Sequence, residues 1–398
     1  MGDTWEMETT ASPYAWQRLS TGIPQDHAFS SYNDGRVPYA PCGRFGQSTS
    51  VHNDSLLLYG GHDGGLSRHG RNNYEPGYDF DELWRFSVPD HSWSLISGGA
   101  DPGPGKRYLH AMAVVGDFVL IYGGLVESQG DVWAFDLSKG TWELLSKEVS
   151  RANGGPGRRV GHSITAIDLP HGPRSGEGQP PERTAGILLA GGRYIEADGS
   201  SALDDSLHFF DLEKRTWRKM PTVASAAGLK PVQLPVGRKY HAEASGWVQV
   251  TADGSIAPPP KPLKKGAEPP PPLPYVHVTI VAGGTITTPG LTCTAEAWLL
   301  TTDCSATEAT WERLPDIPTA IYDVRGALSA HGAMFLYGGH HCTDSKGSAP
   351  FFYSNVVSKL DLAKAGVKVP KGACRVEAGA LPAQRAQGRE AKVQDKEL

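Results

Sequence analysis

One short phrase is written five times along this chain: an apolar run that stops on two glycines. LLLYGG ends at Gly61, VLIYGG at Gly124, ILLAGG at Gly192, TIVAGG at Gly284 and MFLYGG at Gly339. A second apolar stretch and a polar turn precede most of these runs directly, as in KRYLHAMAVVGDFVLIYGG from Lys106. After the first three pairs, past a loop of variable length, comes a second signature. LWRFSVPDHSW ends at Trp93, VWAFDLSKGTW at Trp142 and LHFFDLEKRTW at Trp217. WLLTTDCSATEATW, with a longer turn, ends at Trp311. In the first three an aromatic (Phe86, Phe135 or Phe210) stands seven residues before the tryptophan. Runs of this length and residue type read as β-strands. Each unit then holds four strands: a, b ending in Gly-Gly, c with the aromatic, and d with the tryptophan. One small twisted sheet cannot bury both faces, whereas stacked copies bury each other. Self-similarity on this scale indicates a propeller or a solenoid.

Composition agrees. The 398 residues include 48 Gly and 31 Pro, and only 20% are charged, a mix suited to short strands and turns. The formal charge of −5 gives no general case for nucleic-acid binding. Five cysteines, Cys42, Cys293, Cys304, Cys342 and Cys374, are irregularly spaced and form no CxxC. They read as reduced thiols in the cytoplasm, with the nucleus as the alternative. MGDTWEMETT has neither a basic nor an apolar region, and no run of eighteen apolar residues occurs. Neither a secretory signal nor a membrane span is expected.

The Gly-Gly pair, the spaced aromatic and the closing tryptophan, repeated in order, resemble the Kelch repeat of the galactose oxidase-like superfamily, from about Tyr14 to Leu362. The resemblance implies an all-β Kelch propeller with one four-stranded blade per repeat, five recognisable and a cryptic sixth as the alternative. The fifth unit offers NVVSKLDL as strand c, but no closing tryptophan follows. AWQRLS around Trp16 resembles TWELLS at Trp142, so the N-terminal strand is expected to close the last blade, with TWEM at Trp5 as its rival. The domains read as an extension over 1–13, the propeller over 14–362 and a flexible tail over 363–398. The glycine pairs are expected to make room for aromatics of strands c and d. LPHGPRSGEGQPPERT and the Pro-rich insertion 257–275 read as exposed loops between strands a and b. PPLP, within 269–275, matches a WW-domain ligand.

At the start of strand a, Arg44, Arg107, Arg159, Arg238 and Arg325 recur. Three residues on come Gln47, His110, His162 and His241, with Leu328 breaking the series. In substrate-adaptor members of the family, arginines here line the channel mouth and grip acidic peptides. Carried over, these five imply a ring suited to carboxylate or phosphate oxygens. The alternative is that Arg and His bond neighbouring carbonyls and hold blades together. The loops after the glycine pairs add His62, Asp63, Arg193, His340 and His341 as ligand-binding candidates. Adjacent His340, His341 and Cys342 seldom aim at one ion, so no metal and no cofactor is expected. The iron motif Glu-x3-Asp-x3-His of plant specifier proteins is missing: Asp204 and His208 have Ser200 where the Glu belongs. Copper radical oxidases need a secreted context and a Tyr–Cys crosslink. A bacterial sialic-acid mutarotase on this scaffold needs only placed acid–base groups. The reading is therefore a monomeric interaction scaffold or adaptor with a protein partner at the Arg-ringed face. The alternative is a small-molecule isomerase, cyclase or lyase using His110, His162 and His241.

Overall fold

The computed structural model describes residues 4–9, 15–20, 40–63, 79–99, 102–126, 130–174, 181–225, 234–260, 268, 270–286, 292–342, 354, 356–377 and 381. Among these the only helix is one 3-10 turn, Arg151–Asn153; the rest is strand and turn. No helix is long and apolar enough to cross a membrane.

Each unit becomes one antiparallel blade. Blade 1 is Ser48–His52, Ser55–Tyr59, Glu82–Ser87 and Ser92–Gly98. Blade 2 is Ala111–Val115, Phe118–Tyr122, Val132–Asp136 and Thr141–Ser146. Blade 3 is Ser163–Arg174, Pro181–Ala190, Leu207–Asp211 and Thr216–Met220. Blade 4 is Ala242–Gln249, Tyr275–Ala282, Ala297–Thr302 and Ala309–Arg313, with Thr222–Ala224 added in parallel outside strand d. Blade 5 has three strands, Arg325–Leu328, Ala333–Tyr337 and Val357–Asp361. Strand β1 (Thr4–Glu8) and strand β2 (Ala15–Ser20) form a separate antiparallel hairpin. The N-terminal strand therefore meets blade 5 through a ring contact, Trp16 on Tyr337 at 4.9 Å; its backbone partner is β1, and both expected rivals are used together.

The cores lie between blades. Leu57, Tyr59, Met112 and Trp142 fill the space between blades 1 and 2; similar clusters join blades 2 and 3, 3 and 4, and 4 and 5. In register, Phe86, Phe135 and Phe210 sit opposite Trp93, Trp142 and Trp217. Trp142 also packs on Tyr59 of blade 1 at 5.4 Å, and Trp217 on Tyr122 of blade 2 at 5.0 Å. The strand-d tryptophan thus spans both its own blade and the preceding one. Burying such a ring is worth several kcal/mol, roughly 3–5 by the cost of deleting it.

Four expectations change. The glycine pairs make room for the next blade, not for aromatics of their own. A Cβ on Gly60, Gly123 or Gly191 would lie 2.5, 2.8 or 2.6 Å from the carbonyl oxygen of Arg107, Arg159 or Arg238. The insertion in the third unit is not a loose loop: strand a runs to Arg174 and strand b starts at Pro181. Of the Pro-rich insertion, 261–267 and 269 lie outside the described residues, while 270–274 lead as irregular backbone into strand b. The tail begins later than Leu362. Val367, Val369, Ala373, Cys374 and Val376 are buried, and Arg375–Val376 pairs with Tyr275–Val276 of blade 4. Finally, four cysteines are bonded, Cys293 to Cys342 and Cys304 to Cys374, leaving Cys42 as the buried free thiol. The first bridge joins loops of blades 4 and 5; the second holds the C-terminal segment on blade 4.

Candidate functional site

Four of the five series arginines are spent inside the protein. Arg44 donates to the Gly60 carbonyl and to Glu82, both at 3.0 Å, and lies over the Phe80 ring at 3.7 Å. Arg107 donates to Gly123 O and Asp131 Oδ1, both at 3.1 Å, and to Pro104 O. Arg159 donates to Gly191 O at 2.8 Å, Asp204 at 2.6 Å and Pro156 O at 2.9 Å. Arg238 donates to Gly283 O at 3.3 Å and Glu296 at 2.7 Å. Each guanidinium is buried and ties the end of strand b to an acid at or just before the start of strand c. A five-donor fork satisfies several fixed acceptors at once, which is why arginine recurs here. These four are internal ties, so the expected open ring is corrected. The signal was present in the sequence: Glu82, Asp131 and Glu296 each stand two residues before a tryptophan, Trp84, Trp133 and Trp298, whose indole N–H donates to the same acid.

Arg325 is not the fifth member. The second glycine of each of the first four pairs donates to the next unit: Gly61 to Arg107 O, Gly124 to Arg159 O, Gly192 to Arg238 O, and Gly284 to Ile321 O. Ile321 therefore holds the arginine place in the fifth unit and Val324 the histidine place, both inside the blade 4–5 core. Arg325 points outward and pairs with Asp323 at 3.3 Å.

The histidines bind blade to blade. His110 Nε2 meets Ser48 Oγ of blade 1 at 2.5 Å, His162 Nε2 meets Tyr122 O of blade 2 at 3.2 Å, and His241 Nε2 meets Ser163 Oγ of blade 3 at 2.8 Å. Burial first, then Arg159 or Arg238, pulls His162 and His241 down to about 3. Burial and Arg107 lower His110 well below its ordinary value. All three are buried and stay neutral near pH 7. They are not placed as channel acids or bases.

Between each Arg and His lies a backbone-linked residue. Leu109 N donates to Gly46 O, Gly161 N to Leu109 O, Tyr240 N to Gly161 O and Asp323 N to Tyr240 O. These bonds form an arc around the centre, one residue per blade. Beside the arc, the residue after each arginine position faces the first residue past each glycine pair: Phe45 with His62, Tyr108 with Leu125, Val160 with Arg193, Lys239 with Thr285, and Tyr322 with His340. This is the mouth of the propeller.

Two chemical halves meet there. On one side His62 Nδ1 lies 2.8 Å from Asp79, with the Phe45 and Tyr108 rings each 5.2 Å away. On the other, Arg193, Lys239 and Tyr240 cluster; the Lys239 ammonium lies 5.2 Å from the Tyr240 ring. Burial and the neighbouring Arg193 charge lower the Lys239 pKa. Among the described residues neither Arg193 nor Lys239 forms an ion pair, and the buried Arg193 Nε has no hydrogen-bond partner. His340 stacks on Tyr322 at 5.1 Å; His341 pairs in backbone with Ile321. Cys342 is held in its disulfide, and Asp63 is buried below the rim. Of the expected site residues, His62, Arg193 and His340 are thus brought to the mouth. Phe45, Tyr108, Lys239 and Tyr322 join them unforeseen.

The Kelch motif family model matches residues 106–147, blade 2 with its leading segment. Human Kelch domain-containing protein 3 is 32% identical over 136 residues, 33% of this chain and 32% of that protein. Mouse multiple epidermal growth factor-like domains protein 8 is 29% identical over 133 residues, 32% of this chain and 4% of that protein. An F-box/kelch-repeat protein of Arabidopsis thaliana is 24% identical over 221 residues, 52% of this chain and 36% of that protein. The matched part thus spans about a third or less of the first two relatives. The solved structure of YjhT aligns with a TM-score of 0.49 at 13% identity, over 81% of this chain and 83% of that one.

Proposed function

The chain is a Kelch-repeat protein, and from that premise we propose that it is an interaction module that docks an acidic segment of a partner protein on its aromatic and cationic mouth. One observation carries this reading. The arginines at the blade starts each have a carboxylate of their own, whereas Arg193 and Lys239 sit side by side without one. The Arg193 charge already disfavours the charge on half-buried Lys239, and a visiting carboxylate relieves that repulsion. Tyr240 lies beside Lys239 and Tyr322 beside Tyr240, while Phe45 and Tyr108 line the other half of the mouth; aromatic residues of this kind anchor protein interfaces.

The enzyme alternative rested on His110, His162 and His241, whose Nε2 atoms are bonded between blades in buried surroundings. A WW-type partner at Pro271–Pro274 would use the opposite, a–b side of the propeller and leave the mouth open.

The test is a labelled acidic-peptide array read against wild type and an Arg193→Glu/Lys239→Glu variant whose melt matches wild type. Binding to the mouth predicts at least about a tenfold loss in the variant and steep weakening with salt. Peptides bound equally by both proteins would overturn the proposal.

A further inference from the structure

The β1–β2 hairpin repeats, residue for residue, the c–d half of a complete blade. Thr4 faces Ser20 and, after a one-residue shift, Trp5 faces Arg18, Glu6 Gln17, Met7 Trp16 and Glu8 Ala15. Blade 2 has the same register and the same shift, Val132 with Ser146, then Trp133 with Leu144, Phe135 with Trp142 and Asp136 with Thr141. The hairpin's neighbours are also those of a blade. Trp16 lies on Tyr337 of blade 5 as Trp142 lies on Tyr59 of blade 1. On its other side Trp93 of blade 1 donates to Thr4 Oγ1 at 3.1 Å, as Trp142 donates to Ser97. The hairpin therefore stands in a sixth position, between blades 5 and 1.

Strands a and b of that sixth position are not found among the described residues, and surfaces that other blades bury are open here. Tyr59 and Tyr122 are 0% exposed, but their counterpart Tyr337 is 47% exposed. Trp84 is 0% exposed and its counterpart Trp5 51%; Trp142 is 8% and Trp16 43%. Val51, on the face of blade 1 opposite that of His52, which meets Asp117 of blade 2, is 50% exposed. A Cβ on Gly60, Gly123, Gly191 or Gly283 would strike the next blade's carbonyl within 2.8 Å, while one on Gly338 would meet nothing within 4 Å. The central arc of backbone bonds likewise runs from Gly46 to Asp323.

We propose that the sixth blade is half built, and that its missing half is an a–b β-hairpin supplied by a different protein, pairing through its second strand with β1. The repeats themselves state the hairpin's chemistry: an apolar strand, a tight turn, and a second apolar strand ending in Gly-Gly. Its first strand begins with an arginine. In sequence, Asp3 stands two residues before Trp5, as Glu82, Asp131 and Glu296 stand before Trp84, Trp133 and Trp298; in each complete case that acid receives the arginine of strand a. The apolar run ending in Gly-Gly is written five times in these residues, and all five copies are used in the five blades. The Cys304–Cys374 bridge and the pairing of Arg375–Val376 also lead the C-terminal segment onto blade 4, away from the gap.

The probe is a synthetic peptide copying Lys106–Gly124, with added terminal lysines for solubility, and the readouts are titration calorimetry and amide hydrogen exchange of the intact chain. The expected result is saturable binding that slows exchange across Thr4–Glu8 and leaves blades 2 and 3 unchanged. A peptide carrying Arg107→Glu should bind about tenfold more weakly or worse. The mouth variant Arg193→Glu/Lys239→Glu should bind the peptide normally, which separates this site from the mouth. Four results would each overturn the proposal: no slowing at Thr4–Glu8, equal binding by a scrambled peptide, slow exchange there already in the free chain, or slowing that appears on concentrating the protein alone. The third would mean that the chain closes its own gap, and the fourth that a second copy fills it.

Discussion

Gly123 and Gly338 hold the same place in their units and meet different surroundings. An alanine Cβ at Gly123 would lie 2.5 Å from His162 Cε1 and 2.8 Å from Arg159 O, at φ +74°. At Gly338 the angle is similar, φ +78°, and the space is empty. Backbone strain alone costs roughly 1–2 kcal/mol for a side chain in this region. Gly338→Ala should cost about that, whereas Gly123→Ala adds overpacking of a further 1–3 kcal/mol or so. Urea denaturation midpoints of the two variants check the difference; equal losses would mean that something covers Gly338. At this scale the sequence showed which residues recur but not what they touch. The arginine series was legible because Arg107, Arg159 and Arg238 each stand three residues before a histidine at the start of a unit. Its burial was not, although the acids two residues before Trp84, Trp133 and Trp298 were in plain view as partners. The fifth member was misplaced because Arg325 falls close to the expected spacing, while Ile321, the true occupant, shares only backbone geometry with Arg107 and Arg159.

The strand-d tryptophans bring the same contrast to whole elements. Trp142 is held by Phe135 at 4.9 Å, by Tyr59 at 5.4 Å and by a bond from its indole to Ser97. Trp142→Ala should therefore cost roughly 3–5 kcal/mol. Trp16, open to solvent on one side, should cost about 1–2 kcal/mol on the same change, since much of its surface is not removed from water. Thermal melts rank the two, and exchange across Thr4–Glu8 shows whether β1–β2 detaches without Trp16. Strands a to d of blades 1 to 4 were readable because alternating apolar runs and turn residues mark them locally. The hairpin was only half read, because TWEM and AWQRLS looked like competitors for one place. Their pairing with each other depends on a register that only the backbone displays. The two disulfides were missed for a similar reason: their partners are distant in sequence, Cys293 from Cys342 and Cys304 from Cys374, and spacing gives no clue to such pairing.

For the whole molecule, ties between blades make stability depend on acid in a set direction. His162, His208 and His241 are held down to about 3 and His277 to about 4, burial being the first cause in each case, and His110 is lowered in the same way. Their pKa in the unfolded chain is about 6.5. Between these values the unfolded chain binds more protons than the folded one, so stability is full above about pH 6.5 and falls as pH drops toward the folded values. Each fully coupled histidine removes about 1.4 kcal/mol per pH unit in that window. Glu312, raised to about 7 by burial, and Glu243, raised for the same reason, act the other way: each gains stability as pH falls toward its unfolded value. Two carboxyls do not offset five histidines, so the melting temperature should fall continuously from pH 7 to pH 5. His241→Gln keeps a group able to bond Ser163 but cannot take up a proton, so its curve should be shallower over the same range. Melts of wild type and His241→Gln at closely spaced pH values check both. A flat wild-type curve would mean that water reaches the rings and that the histidines do not seal one blade to the next.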